Sequence, residues 1–247
     1  MKTDKPPVTI TITMYNNPEG LEKTVPSIIS QDYDNAEIII SDDGSTKYDK
    51  AILEKYADML REKYPEVRIN LLEQNVGTVK HVNKAFALAK GKYIFDLSPG
   101  DFFYSSDVVS SIVNQFEKTG KMIITSRRAD VYDDGHEKIR PGVHTGFLLK
   151  FFPKQLLNYM LTKKNVLSGC GTFYSRKLFD ECGMFDEQYK LVEDYTYYVM
   201  ILYKGISFGW TSKVTVGHEM GGVSNGDVHP LVYQDIELLK KNYGVLR

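Results

Sequence analysis

Apolar and polar residues alternate near the start of this chain, with Val8, Ile10, Ile12 and Met14 on one side and Thr9, Thr11 and Thr13 on the other. A period of two predicts a β-strand. Tyr15 to Gly20, rich in Asn, Pro and Gly, reads as a loop, and Leu21, Val25, Ile28 and Ile29 then fall on one face of a helix. Pro26 either kinks that helix or marks its true first turn. A strand from Glu37 to Ser41, a helix with Ile52, Tyr56, Met59 and Leu60 at helical spacing, and a strand from Val67 to Leu72 follow. The alternation continues with a helix over Thr78 to Ala89, a strand at Tyr93 to Leu97, a helix at Asp107 to Glu117 and a strand at Met122 to Ser126. Strands alternating with helices predict an α/β fold with a mostly parallel sheet and right-handed crossovers.

Beyond Arg127 the pattern loosens. It predicts an amphipathic helix over Phe151 to Leu161, a strand at Gly171 to Ser175, a helix at Glu193 to Tyr203 and two short strands within Ile206 to Val216. Neither repeats nor low-complexity segments interrupt it, which predicts one domain over residues 1–247.

Composition narrows the class. With 247 residues, 42% of them apolar, the chain can bury a substantial core, and its net charge of -1 lacks the concentrated basic face that nucleic acid binding requires. The first residues do not read as a signal peptide, and no run approaches the roughly 20 apolar residues of a membrane span, so a soluble, cytoplasmic protein is expected. Cys170 and Cys182 form no C-x-x-C pattern and point to neither a disulfide scaffold nor a zinc site.

The most telling stretch is Ile38-Ile39-Ile40-Ser41-Asp42-Asp43-Gly44-Ser45-Thr46, an apolar strand that stops in two carboxylates and a glycine turn. Ligands of open α/β sheets bind at the carboxyl ends of strands, and a carboxylate there can accept a hydrogen bond from a base N–H. The same residues also suit a solvated turn with Ser45 or Thr46 as a helix cap.

Seven segments together resemble family 2 glycosyltransferases of the GT-A fold. They are Thr13-Met14-Tyr15-Asn16, Glu37 to Thr46, Asn75-Val76-Gly77, Ala89 to Ile94, Gly183 to Glu187, Val192-Glu193-Asp194 and His218 to Ser224. The resemblance implies a Rossmann-like sheet flanked by helices, with residues 1–127 binding a nucleotide sugar, residues 128–226 forming an acceptor-side α+β half, and residues 227–247 a helical tail. It implies inverting transfer of a sugar from a nucleotide diphosphate sugar, a UDP-sugar, to the hydroxyl of a saccharide or lipid-linked saccharide in bacterial surface polysaccharide assembly.

Residue by residue, the resemblance puts Asp43 on the base, with Asp42, Thr13, Tyr15 and Asn16 as neighbours. Lys80 and His81, in the first turn of a helix, would face the diphosphate, because a helix N-terminus attracts anions; a solvated lysine and a surface histidine are the plain alternative. Relatives carry a metal-holding D-x-D motif where this chain has Ser98-Pro99-Gly100, so Asp101 is left to hold Mn²⁺ or Mg²⁺ together with His218. Pro99-Gly100 suits the centre of a type II turn that presents Asp101, and Asp96 shares a strand face with Ser98. Val216 stands where relatives often carry an arginine. Glu193 and Asp194 open an aromatic-rich helix; the resemblance assigns the general base to this pair, here Asp194, although acidic residues favour a helix start for dipole reasons alone. Gly221-Gly222-Val223-Ser224 would close over a bound donor.

Phe147 to Leu161 is the most apolar segment, with Lys150, Lys154 and Lys163 in and beside it. It reads first as core, and second as a contact with a lipid-linked acceptor or the inner face of the membrane. Two rival readings differ in class: a non-catalytic nucleotide-sugar-binding module, to which the altered D-x-D points, and a nucleotidyltransferase, against which the lack of a glycine-rich basic loop after the first strand speaks. The sugar, the acceptor, the linkage and the oligomeric state are not written in these residues. The ending after a helical stretch reads as short of a natural C-terminal extension.

Overall fold

In the computed structural model, which describes residues 5–220 and 229–244, the Thr/Ile alternation becomes strand β1, Val8–Met14, at the heart of the sheet. Both of its faces are covered, so the threonines are as buried as the isoleucines. Helix α1 (Leu21–Ile29) follows, then β2 (Ala36–Asp42), α2 (Ala51–Arg61), β3 (Glu66–Leu71), α3 (Thr78–Ala87) and β4 (Tyr93–Leu97). Strands β2 and β4 flank β1 and all pair parallel, with β3 outside β2. Chain order therefore reverses across β1, and such a switch point opens a crevice at the carboxyl ends of the strands.

Pro26 lies inside α1, which starts at Leu21, so the proline does not mark the first turn. Asp101 N donates to Ser98 O at 2.9 Å and Gly100 has φ +98°, as a type II turn over Pro99-Gly100 requires. That turn leads straight into a three-residue strand, β5 (Asp101–Phe103), too short for any periodic signal.

The second half departs further from the sequence pattern. After α4 (Val108–Thr119), β6 runs from Ile123 to Val131, well past the expected end at Ser126, and its register slips on either side of Arg127. Strand β7 (Glu137–Arg140) hairpins back on β6. The amphipathic helix expected over Phe151 to Leu161 is α6 (Pro153–Thr162), in which Pro153 opens the first turn, and a further helix that was not expected, α5 (His144–Phe151), precedes it across the break at Phe152. Then come β8 (Thr172–Ser175), α7 (Arg176–Cys182), α8 (Glu193–Tyr203), β9 (Gly209–Glu219) and α9 (Pro230–Tyr243). The two short strands expected near Ile206 are the single strand β9, which takes up the register shifts of its partner β6.

One sheet joins everything, in the order β3-β2-β1-β4-β8-β6-β9-β5, with β7 beside β6. Its β3-β2-β1-β4 part is parallel as expected; β8 pairs antiparallel with both β4 and β6, β5 antiparallel with β9, and β6 parallel with β9. One hydrophobic core lies between the sheet and α1, α2 and α4, and a second between the sheet and α3, α6, α7 and α8. The sheet thus holds its strand ends in fixed register, and the crevice residues inherit that rigidity. Among the described residues no helix is long and apolar enough to cross a membrane.

Candidate active site

Two features share the carboxyl edge of the sheet. The first is the acidic turn after β2. Asp42 is fully buried and saturated: it accepts from Ser45 N at 2.8 Å, from Lys50 Nζ at 2.5 Å and from the Tyr48 hydroxyl, and these donors hold its carboxyl below the usual range despite burial. Asp43 accepts from Val76 N at 2.8 Å and Gly77 N at 3.1 Å, which ties the loop before α3 to the end of β2. Gly44, at φ +66°, lies against the backbone of Gln74 and Asn75, where an added Cβ would come within 2.3 Å of Gln74 C. Asn16 braces the same turn, its amide N–H donating to Ser45 Oγ and its Oδ1 accepting from Thr46 and Lys47. Tyr15 is half exposed over this edge.

His81 is not on the surface. It is buried and pairs through Nε2 with Ser41 Oγ at 2.9 Å, and burial pushes its pKa below the ordinary value although Asp43 and Asp42 pull the other way. Enclosed in this way, the imidazole braces β2 against α3, which corrects the alternative of a surface histidine. Lys80 is exposed and does not line the neighbouring pocket.

The second feature is that pocket, an open cleft with a cavity volume of about 200 Å³. Asp96 and Ser98 enter it from the end of β4, Asp101 from β5, His218 from β9, Arg128 from β6, Cys170 from the loop before β8, and Glu193 and Asp194 from the first turn of α8. Residues 117 positions apart meet here because Asp101 and His218 stand opposite each other in the antiparallel β5/β9 pair, with Asp101 Oδ1 and His218 Nδ1 2.6 Å apart. In the same register Val216 faces Phe103 and is fully buried, so apolar packing occupies this position.

Asp96 accepts from the Thr11 and Thr13 hydroxyls of the adjacent strand, the latter at 3.0 Å. Burial pushes its pKa up to about 7, the threonines oppose the rise and the charge of Asp101 adds to it. Asp194 is anchored by Tyr195 N, which donates to its Oδ1 at 2.6 Å, and burial raises its pKa while Arg128 opposes. Glu193 has no partner for Oε2 among the described residues, and burial with repulsion from Asp194 pushes its pKa up to about 8. The pair is a part-buried dyad poised against full ionisation.

Arg128 was not legible beforehand. The register slip around Arg127 re-aims it into the pocket, where Nε donates to Asp130 Oδ1 at 2.8 Å. Asp130 is fully buried between Arg128 and Arg140. The one signal was the Arg127-Arg128 pair itself, which breaks the alternation of a strand as a bulge does. Cys170 was missed as well. Its Sγ, a carboxylate oxygen of Asp101 and a ring nitrogen of His218 lie within 4.8 Å of one another, a carboxylate, imidazole and thiol set that fits a divalent ion. Of Asp43, Asp101 and Asp194, the last two line this pocket, and Asp43 belongs to the neighbouring turn. The segment Gly221 to Ser224, expected to close over a donor, lies outside the described residues.

A Rossmann-like sheet with an acidic turn at its switch point and a carboxylate-rich pocket beside it defines the class of GT-A glycosyltransferases. The family model for glycosyl transferase family 2 matches residues 9–183, and the chain belongs to that family. It is 27% identical over 197 residues to an uncharacterized glycosyltransferase of Rickettsia prowazekii, an alignment that covers 77% of this chain and 57% of that protein, so the chain spans a little over half the length of this relative. It is 27% identical over 237 residues to the Escherichia coli UDP-Glc:alpha-D-GlcNAc-diphosphoundecaprenol beta-1,3-glucosyltransferase WfaP, covering 92% of this chain and 83% of WfaP. Among solved structures, S. aureus TarS 1-349 in complex with UDP-GlcNAc superposes with a TM-score of 0.73 at 16% identity, over 96% of this chain and 65% of that one. The mannosyltransferase PcManGT from Pyrobaculum calidifontis, in complex with GDP-Man and Mn2+, gives 0.68 at 14% identity, over 97% of this chain and 64% of that one. At these identities the structures establish the fold.

Proposed function

We propose that this chain transfers a sugar from a UDP-sugar to the hydroxyl of a saccharide or lipid-linked saccharide, with inversion at the anomeric carbon, in the assembly of a bacterial surface polysaccharide. The observation that carries this reading is the convergence of Asp194, Arg128, Asp101 and His218 on one pocket beside the acidic turn. The nucleoside lies in the switch-point crevice near Tyr15 and Asp43, which places the diphosphate toward the pocket. WfaP, a UDP-glucose-dependent relative acting on a diphosphoundecaprenol-linked sugar, supports the choice of donor and acceptor class.

The acceptor oxygen attacks the anomeric carbon on the face opposite the leaving group. Its bond to carbon forms as the carbon–oxygen bond to the diphosphate breaks, the acceptor proton passes to Asp194, and the electron pair of the broken bond stays on the nucleoside diphosphate. A base with a raised pKa suits this step, because its proton affinity approaches that of the task. Arg128 lines the pocket and offers positive charge to the leaving diphosphate, where fixed charge stabilises the transition state. Glu193, neutral at pH 7 in this environment, can donate its proton in a hydrogen bond to a sugar hydroxyl.

Asp101, His218 and Cys170 would hold the metal. The mixed donor set suits Mn²⁺ better than Mg²⁺, which prefers an all-oxygen shell, and a bound ion would supply charge neutralisation for the diphosphate.

A panel of UDP-, GDP- and TDP-sugars, with and without Mn²⁺, followed by melting temperature and by nucleoside diphosphate release, tests the reading. UDP-sugars should raise the melting point most and be turned over. Preference for another nucleotide, or binding without turnover across all donors and metals, would overturn it.

A further inference from the structure

Helices α5 and α6 divide the most apolar stretch of the chain in two. Leu149, Leu156, Leu157, Met160 and Leu161 point inward and are buried. Phe147 and Phe151 point outward, each 56% exposed, with Phe152 and Tyr159 near 40%. The three phenylalanines touch, Phe147 lying 5.0 Å from Phe151 and 5.5 Å from Phe152 between ring centroids, so they form one apolar patch and not scattered exposed residues. Isolated aromatics at a surface need no explanation; a cluster of rings does.

The stretch of chain that carries the patch has charge of one sign. From Lys138 to Phe179 the sequence holds eight lysines and arginines and not one Asp or Glu, in a chain whose overall charge is -1. Lys150 and Lys154 stand among the rings and Lys163 and Lys164 at the far end of α6, all exposed, and none of these four makes an ion pair among the described residues. Lys150 Nζ lies 5.0 Å from the Phe151 ring centroid, an aromatic with its cation beside it.

We infer that the α5–α6 face docks on an anionic lipid bilayer, with the phenylalanines in the headgroup and acyl boundary and the lysines on the anionic headgroups. A protein partner would have to match a ring cluster and a one-sided charge field over two helices; an anionic bilayer matches both without shape complementarity. The placement has a consequence for the pocket. Tyr195, one residue after Asp194, donates its hydroxyl to Met160 O on the inner face of α6. The docking face is therefore joined to the helix turn that carries the Glu193–Asp194 pair, and a docked protein holds that pocket close to the membrane. This inference concerns the docking face alone and stands whatever donor the pocket takes.

Co-sedimentation of the full chain with vesicles of phosphatidylcholine alone, or of phosphatidylcholine mixed with phosphatidylglycerol, at low and high salt, tests it. Binding should require phosphatidylglycerol and fall with salt. Lys150→Gln and Lys154→Gln should each weaken it about fivefold. Phe147→Ser with Phe151→Ser should weaken it at least tenfold, with an unchanged circular dichroism spectrum and unchanged UDP binding. Equal binding to both vesicle types, no binding to either, or phosphatidylglycerol binding that survives these substitutions would overturn the inference. So would a wild-type dimer that the phenylalanine variants convert to monomer without any vesicle binding, since the occupant of the face would then be a second copy.

Discussion

A Cβ built on Gly169 would stand 2.7 Å from Oδ2 of Asp194, closer than real contacts allow, so the glycine leaves the space that the carboxylate occupies. The loop before β8 and the first turn of α8 are fitted to each other at this point. Gly169→Ala should push the Asp194 carboxylate aside while leaving the fold intact, because the residue carries no positive φ to strain. Turnover should drop on the order of 100-fold, the scale of a displacement near 1 Å at a reacting group. Unchanged turnover with an unchanged melting temperature would show that Asp194 need not sit where it does.

Glu193 gives a pH signature in stability. Its folded pKa, about 8, lies above the ordinary 4.5, so between those values the folded chain keeps a proton that the unfolded chain releases. The sign follows: no penalty arises below about pH 4.5, and stability is lost as the pH rises toward 8. Glu193→Gln removes that loss. Between pH 5 and pH 8.5 its melting temperature should fall by on the order of 5 °C less than that of the wild type. Parallel curves would refute the burial argument for this carboxyl.

The raised pKa of Asp194 predicts a matching limb in the rate. A base must be ionised to accept a proton, so kcat/KM should rise with pH through a midpoint above the usual carboxylate range and then level off. A limb at the ordinary aspartate value would mean that the working carboxylate is solvated.

Asp101 and His218 are joined by strand register, and their pairing places both in one donor set. Asp101→Asn or His218→Ala should weaken Mn²⁺ at least tenfold, read as loss of the Mn²⁺-dependent rise in melting temperature with UDP present. Metal affinity that survives both changes would place the ion elsewhere.

The parallel half of the fold was legible because each of its elements is long enough to show a period, as in the Thr/Ile alternation of β1. Asp101, read as a turn residue, also begins a strand whose three residues are too few to announce themselves. Its meeting with His218 follows from pairing across the chain, which local pattern does not encode. Arg128 and Cys170 escaped for the same reason: one is aimed by a register slip, the other by a loop between Ser168 and Gly171. The Asp42-Asp43 turn was visible as chemistry, but its carboxylates turn out to be bonded to Ser45, Lys50, Val76 and Gly77, because a tight turn packed on a neighbouring loop must satisfy its buried backbone N–H groups.

The most direct test of the account is the rate at which Asp194→Asn transfers sugar from a UDP-sugar, measured beside its affinity for UDP. The amide keeps the shape of the carboxylate and cannot take the acceptor proton. The account predicts turnover lowered about 1,000-fold with UDP affinity unchanged. Turnover within tenfold of the wild type would contradict it.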